Sequence, residues 1–198
     1  MKIRVAKPAD GECIASIYAP IVENSFISFE TEVPSVDEMS RRIEATLVTH
    51  PWLVCEENGR VLGYVYAGRH RERPAYQWSA DVSAYLAPQV RRRGLARLLY
   101  ARLFDILAAQ GIASAFAGIA LPNEASVGLH EATGFKPIGV YPGVGYKNGK
   151  WCDVGWWHRQ LQELDPKPTP PVPFSKLPKA KTGQISYDSK LFTLPERM

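Results

Sequence analysis

Arg91-Arg92-Arg93-Gly94-Leu95-Ala96 is a run suited to holding an anion. It stands in front of a long stretch with helical spacing, which puts it at a helix start. A helix start leaves about four backbone N–H groups unpaired and carries the positive end of the helix dipole. Gly94 and Ala96 are small enough to let backbone approach a ligand, and three arginines add permanently charged, forked donors. Together these suit a pyrophosphate. The alternative for the same residues is a solvated surface run with Gly94 in a tight turn. A second constellation is Asn123 and, seven residues later, His130, within LPNEASVGLHEATGF. Two helical turns separate them, so they lie on roughly one face. Taken alone, Asn123 reads as a helix cap and His130 as a partly exposed helical histidine more often than as a catalyst. GxGxxG is absent, so a dinucleotide-binding turn is not supported.

The elements that must position these residues follow from periodicity. Ile3 to Val5 reads as a strand. Ala9 to Glu23 is a helix with Asp10 as its N-cap, and Ser35 with Glu38 forms a capping box for a helix running to about Val48. Pro51 ends it. Trp52–Glu56 and Val61–Ala67 are strands joined at Asn58-Gly59, a hairpin signal. Trp78 to Leu86 alternates, with Ala80, Val82, Ala84 and Leu86 on one face and Ser79, Asp81, Ser83 and Tyr85 on the other. Gly94 to Gln110 is the strongest helix, with an apolar stripe of Leu95, Leu98, Leu99, Leu103, Ile106 and Leu107, stopped by Gly111. Ile112 to Ile119 lacks alternation and reads as a strand buried on both faces. Asn123 to Thr133 is a short helix ended by Gly134. Phe135–Tyr141 and Trp151–Leu161 are the closing strands, turned at Asn148-Gly149.

The chain has 198 residues, 45% hydrophobic and 22% charged, which suits one globular domain. No apolar run approaches the roughly 20 residues that span a bilayer, and the N-terminus has no apolar leader. Membrane association is therefore not expected. Cys13, Cys55 and Cys152 are widely spaced, so neither a disulfide framework nor a metal site is expected, and a reducing cytoplasm is the expected setting. The net charge of +4 fits an anionic cofactor or substrate. No aromatic or basic stripe accompanies the arginines, so nucleic acid is not expected as a partner.

The order of strand, arginine-glycine turn, helix, strand, Asn-capped helix and Gly-Phe strand resembles the GNAT superfamily of N-acetyltransferases. RRRGLA is similar to its Q/R-x-x-G-x-G/A loop and NEASVGLHEATGF to its Asn…Tyr/His…Gly-Phe segment. HPWLVCEENGRVLGYVYAG, AYQWSADVSAYLAP and GYKNGKWCDVGWW resemble the phosphinothricin N-acetyltransferase subfamily, whose relatives acetylate methionine sulfoximine and methionine sulfone. The likeness covers about residues 3–162.

The resemblance implies an α/β (α+β) fold with a mixed central sheet, flanked by helices, whose two central parallel strands splay apart around acetyl-CoA. It implies cofactor contacts from Ala84, Tyr85 and Leu86, and from Arg91, Arg92, Arg93, Gly94, Leu95, Ala96 and Arg97 around the pyrophosphate. Asn123 and Ser126 would reach the pantetheine arm or water near it. His130 is implied as general base, or as the acid that reprotonates the thiolate, and Asp81 as the acidic residue on the central strand. The subfamily carries glutamate at that place; the shorter aspartate calls for a water relay or a shifted substrate. A salt bridge to an arginine is the alternative for Asp81. Arg73 matches an arginine position of the subfamily and Phe29 an aromatic position near the amine-acceptor site, with Arg71 a second candidate for reading a substrate carboxylate. The alternatives are a solvent-exposed arginine and a core phenylalanine, and the substrate would be a small-molecule amine. No cysteine lies beside a histidine and an acid in sequence, which favours direct transfer in a ternary complex over an acyl-enzyme. The resemblance also implies a homodimer, with the hairpin from Tyr146 to Trp151 as contact.

Residues 1–164 are read as the catalytic domain and 165–198 as a Pro/Lys-rich tail. Pro166, Pro168, Pro170, Pro171 and Pro173 favour an extended chain, and Lys167, Lys176, Lys179, Lys181, Lys190 and Arg197 outnumber Asp165, Asp188 and Glu196. The tail would be disordered or lie over the domain. The competing functions are acetylation of another amine (protein N-terminus, aminoglycoside, polyamine), a non-catalytic CoA-binding regulatory domain, and a nucleic-acid binder using the basic tail.

Overall fold

The computed structural model of the chain describes residues 1–183 and 185–186. In chain order its elements are β1 (Lys2–Val5), α1 (Gly11–Asn24), α2 (Val36–Thr49), β2 (Trp52–Glu57), β3 (Arg60–Arg69), β4 (Ser79–Leu86), α3 (Leu95–Gln110), β5 (Ser114–Leu121), α4 (Glu124–Ala132), β6 (Lys136–Lys147), β7 (Lys150–Gln160), α5 (Lys179–Thr182) and β8 (Ile185–Ser186). The strands form one sheet in the order β6-β7-β5-β4-β3-β2-β1-β8. β4 and β5 pair parallel, while the other pairs are antiparallel. The mixed sheet with flanking helices is the fold class that the sequence predicts.

The hairpins form where the turn residues allow them. Asn58 and Gly59 have φ of 49° and 79°, and Asn148 and Gly149 have 50° and 75°. Both turns thus use the left-handed conformation that Asn and Gly adopt at least cost. Ala67, Ala80, Leu99, Leu103, Ile106 and Leu107 are fully enclosed in the core that the sheet shares with α3.

Three local expectations change. Asp10 does not cap α1 with its side chain: it closes a short 3-10 turn, Pro8–Asp10. Its carboxylate accepts from Arg4 at 2.7 and 2.8 Å and from the Lys7 N–H at 2.9 Å. The stronger charge-assisted pair with Arg4 takes the oxygens a cap would use. Ser35 Oγ does accept from the Glu38 N–H, at 3.1 Å. The reciprocal half of that box is missing because the Glu38 carboxylate pairs with Arg41 and Arg42. β5 alternates from Ser114 to Ile119, where Ala115, Ala117 and Ile119 are buried, Phe116 is half-buried and Gly118 is exposed; Ala120 is buried as well. Small residues hid the period, since alanine and glycine register weakly as either apolar or polar.

The tail packs on the domain through Gly183. Phe174 is buried. The Gln110 side-chain amide donates to the carbonyls of Thr49 and Val172, each at 2.8 Å, and the Trp78 indole N–H donates to the Thr169 carbonyl at 2.8 Å. Arg102 donates to the carbonyls of Lys181 and Gly183 at 2.9 and 3.2 Å. Asp188, Lys190, Glu196 and Arg197 lie outside the described residues.

Candidate active site

β4 and β5 are joined at their first residues only, through Ser79–Ser114, Ala80–Ala115 and Asp81–Phe116. Beyond that point β4 stays with β3 up to Leu86, and β5 stays with β7 up to Leu121. The two strands therefore diverge into a wedge whose inner edges carry backbone N–H and C=O groups without a strand partner among the described residues. Unpaired backbone groups call for a ligand or water. Ala84, Tyr85 and Leu86, predicted to hold the cofactor, are half-buried along one side of this wedge. The Tyr85 ring meets Tyr18 of α1 edge-on at 5.1 Å.

At the open end β4 passes into the arginine loop. Arg92 and Gly94 both have positive φ, 62° and 75°, and Gly94 caps α3. Left-handed residues at a helix start turn backbone N–H groups away from the regular strand path, and the free N–H groups of the first turn of α3 suit an anion. Arg91, Arg92, Arg93 and Arg97 are exposed, while Leu95 and Ala96 are buried. Arg91 Nε donates to the Leu86 carbonyl at 3.3 Å, and the other three guanidiniums hold no protein partner among the described residues. Arg92, Arg93 and Arg97 thus keep their guanidinium donors unengaged by protein among the described residues.

His130 is placed differently from a free base. It is 4% exposed, between α4 and α3. Nδ1 lies 2.7 Å from the Ser126 carbonyl, so it must carry the proton and donate; Nε2 then accepts from the Tyr100 hydroxyl at 2.9 Å. The ring also meets Phe135 edge-on at 5.1 Å. Burial pushes its pKa down, and the Ser126 carbonyl offsets part of this. Asn123 Oδ1 accepts from the Ser126 N–H at 3.1 Å, and Ser126 Oγ lies 3.3 Å from His130 Nδ1. Asn123, Ser126 and His130 thus form one cluster on α4, with no hydrogen bond or ring contact to Asp81.

Asp81 has a partner that sequence reasoning missed. Its Oδ1 lies 2.6 Å from His70 Nδ1. The antiparallel register sets Gly68 opposite Asp81, so His70, two residues on, falls on the same face as a diagonal neighbour. The imidazole is stacked on Phe116 at 4.3 Å, with Trp156 and Tyr76 edge-on at 5.9 and 6.0 Å. Phe116 is also the register partner of Asp81 at the closed end of the wedge. A hollow of about 200 Å³ opens there, walled by His70, Arg71, Phe116, Ile138, Gly139, Tyr141 and Trp156. Burial pushes the Asp81 carboxyl up, and the contact with His70 and the charge of Arg71 pull it back. The partnership could be found only from the β3–β4 register, which neither motif supplies.

Arg71 stands in the wall of this hollow, its guanidinium 5.4 Å from the Trp156 ring centre and bonded to the His70 carbonyl at 2.9 Å. Arg73 is exposed, just before the Pro74–Tyr76 turn. Phe29 lines a separate open hollow with Glu30, Val33 and Arg42. Its ring lies so close over Gly145 of β6 that a Cβ there would come within 2.1 Å of it. Lys147 Nζ, buried, donates to the carbonyls of Val22 and Ser28 at 2.6 and 2.8 Å and fixes β6 to this same segment. The structure therefore groups Asp81 with His70 and Arg71, and leaves Phe29, Arg73 and His130 outside that group.

Among the described residues no set of three or more His, Cys, Asp or Glu side chains could hold a metal ion, and no helix is long and apolar enough to cross a membrane. Cys55 and Cys152 are buried, and burial pushes the Cys55 thiol up to about 12.

Residues 3–156 match the family model described as an acetyltransferase (GNAT) domain. The phosphinothricin N-acetyltransferase of Streptomyces viridochromogenes is 38% identical over 173 residues, spanning 87% of this chain and 94% of that protein. The L-methionine sulfoximine/L-methionine sulfone acetyltransferase of Salmonella typhimurium is 35% identical, spanning 82% of this chain and 96% of that protein. Among solved structures, a GNAT superfamily phosphinothricin acetyltransferase from Sinorhizobium meliloti in complex with acetyl-CoA superposes with a TM-score of 0.81 at 34% identity, covering 88% of this chain and 96% of that one. The chain belongs to the GNAT acetyltransferase family.

Proposed function

We propose that this chain is an acetyl-CoA-dependent N-acetyltransferase acting on the amine of a small amino-acid-like compound of the phosphinothricin, methionine sulfoximine or methionine sulfone type. The observation that carries the reading is the wedge between β4 and β5, with free arginine donors at its open end and a carboxylate at its closed end. Relatives named for those substrates, at 35 and 38% identity over most of both chains, support the substrate class.

In this reading the arginine loop takes the pyrophosphate, and the edge of β4 from Ala84 to Leu86 holds the pantetheine arm as a neighbouring strand would. A backbone N–H of that segment stabilises the tetrahedral oxyanion. Transfer is direct, within a ternary complex. The amine must lose a proton before it attacks, because an alkyl ammonium with a pKa near about 10 is charged at neutral pH. Asp81 belongs to that step. Arg71 reads the substrate carboxylate from the wall of the hollow, with Arg73 and Phe29 bordering the approach. His130, with Asn123 and Ser126, serves the leaving-group side, where the CoA sulfur must gain a proton.

Residues 1–164 act as the catalytic domain and 165–198 as an appended tail, in line with the family match ending at residue 156. The working form is a homodimer: Ile138, Val140, Val144, Tyr146 and Trp151 of β6 and β7 are each more than half exposed, an apolar face of the kind that seeks a partner. Three free cysteines fit a reducing cytoplasm.

The test is CoA release from acetyl-CoA with phosphinothricin, methionine sulfoximine, methionine sulfone and unrelated amines. Saturable turnover on the first three is expected, and Arg71→Ala should raise KM for them about 10-fold or more, as loss of a charge-assisted contact predicts. Turnover confined to amines without a carboxylate discards the substrate class and the role of Arg71. Acetyl-CoA binding without turnover on any amine favours a regulatory domain instead.

A further inference from the structure

We propose that His70 is the group that accepts the proton from the substrate ammonium, with Asp81 acting through it. The proposal rests on the acetyl-transfer reading above and names the base within it. A carboxylate only accepts hydrogen bonds, so the 2.6 Å contact with Asp81 assigns the proton to His70 Nδ1. The other nitrogen, Nε2, is then the lone-pair side. It holds no hydrogen-bond partner among the described residues, and His70 forms part of the wall of the hollow at the closed end of the wedge. The ring is held by packing, stacked on Phe116 at 4.3 Å and edged by Trp156 and Tyr76. Its side chain is 13% exposed. A positioned imidazole, oriented by a carboxylate on its far nitrogen, is a geometry for general base catalysis.

The arrangement also answers the short side chain at position 81. Aspartate reaches one methylene less far from the strand than glutamate. Here its oxygen ends on His70, and the imidazole extends the reach into the hollow. The charged and titratable groups around His70 are Asp81 on β4, Arg71 beside it, the Arg69–Glu72 pair on its own segment, and the hydroxyls of Tyr76 and Tyr141. The His158 ring of β7 lies 4.8 Å from that of Phe116, tilted by 35°.

The protons balance as follows. The ammonium gives one proton to His70 Nε2, forming an imidazolium paired with Asp81. The freed nitrogen lone pair attacks the thioester carbonyl carbon, a C–N bond forms, and the carbonyl π pair moves to oxygen. Collapse of that adduct breaks the C–S bond. The second nitrogen proton ends on the CoA sulfur, and His70 releases its own proton to water.

The experiment compares wild type, His70→Phe, His70→Gln and His70→Ala by CoA release at saturating acetyl-CoA and methionine sulfone across the neutral pH range, with acetyl-CoA binding measured by calorimetry. Phenylalanine keeps the stacking, and glutamine keeps a donor toward Asp81. Each variant is expected to bind acetyl-CoA as wild type does and to lose at least about 100-fold in kcat, together with the rising limb of the wild-type pH profile. Added imidazole should restore part of the rate of His70→Ala. Wild-type kcat with an unchanged pH profile in His70→Phe or His70→Gln overturns the proposal, as does loss of rate in His70→Ala that imidazole leaves untouched. Wild type that turns over no amine in the panel refutes the acetyl-transfer reading itself, and this outcome is visible before any variant is made.

Discussion

His70 and His130 divide what one histidine could do, and their surroundings explain the division. Both ring nitrogens of His130 are engaged, one by the Ser126 carbonyl and one by Tyr100. Among the described residues His70 is engaged at one nitrogen, by a carboxylate. A base needs a free lone pair toward its substrate, and that condition separates the two. His130→Ala is expected to lower kcat/KM at least about 100-fold through the leaving-group side. It should leave the pH at which the rate rises where it is, because in the proposal that limb belongs to the step at His70, which His130 does not touch. A near-wild-type rate in a pH series of this variant would remove His130 from the reaction. The anion loop and the Asn123–His130 spacing were legible because each sits within one stretch of chain. The Asp81–His70 pair was not. It depends on which residue of β3 lies across from which residue of β4, and register is a property of two strands together. Arg71 and Arg73 posed the same difficulty: two arginines two residues apart, with only the fold to say which one reaches the cleft wall.

At the scale of elements, the helices and hairpins came through where strong local signals existed. Gly94 and Gly111 bracket α3 at its two ends, both in the left-handed conformation. β5 was harder, since its alanines and glycines blur the two-residue period. The tail was open between two readings because its prolines favour extension whether or not a surface receives it. What decides the matter is one aromatic residue. Phe174 is buried, and two residues before it the Val172 carbonyl accepts from the Gln110 amide, which also donates to the Thr49 carbonyl. Phe174→Ala should therefore destabilise the protein by about 3 kcal/mol, the usual cost of emptying an aromatic site. Denaturant unfolding would read this directly, and a midpoint equal to wild type would mean that the tail adds nothing to the domain's stability.

At the scale of the molecule, the exposed apolar side chains of β6 and β7 are the proposed dimer face. Tyr146 and Trp151 flank the last hairpin, their rings 5.2 Å apart and mostly exposed. Trp151→Glu is expected to turn a dimer into a monomer, measured by light scattering. A wild-type protein that is itself monomeric at micromolar concentration would instead reserve this face for another partner.

The wedge between β4 and β5 has one more consequence. An unpaired strand edge is ordinarily a hazard, because a strand from another molecule can add to it and start aggregation. Most sheets meet that hazard at their rims, with charges, prolines or bulges. Here two such edges lie in the middle of the sheet, facing each other and closed at one end by the pairs from Ser79 to Asp81. Both edges are interior to the strand order, so neither lies at the rim where a neighbour's strand adds. The same divergence that makes the site thus sets unpaired backbone inside the sheet instead of at its border.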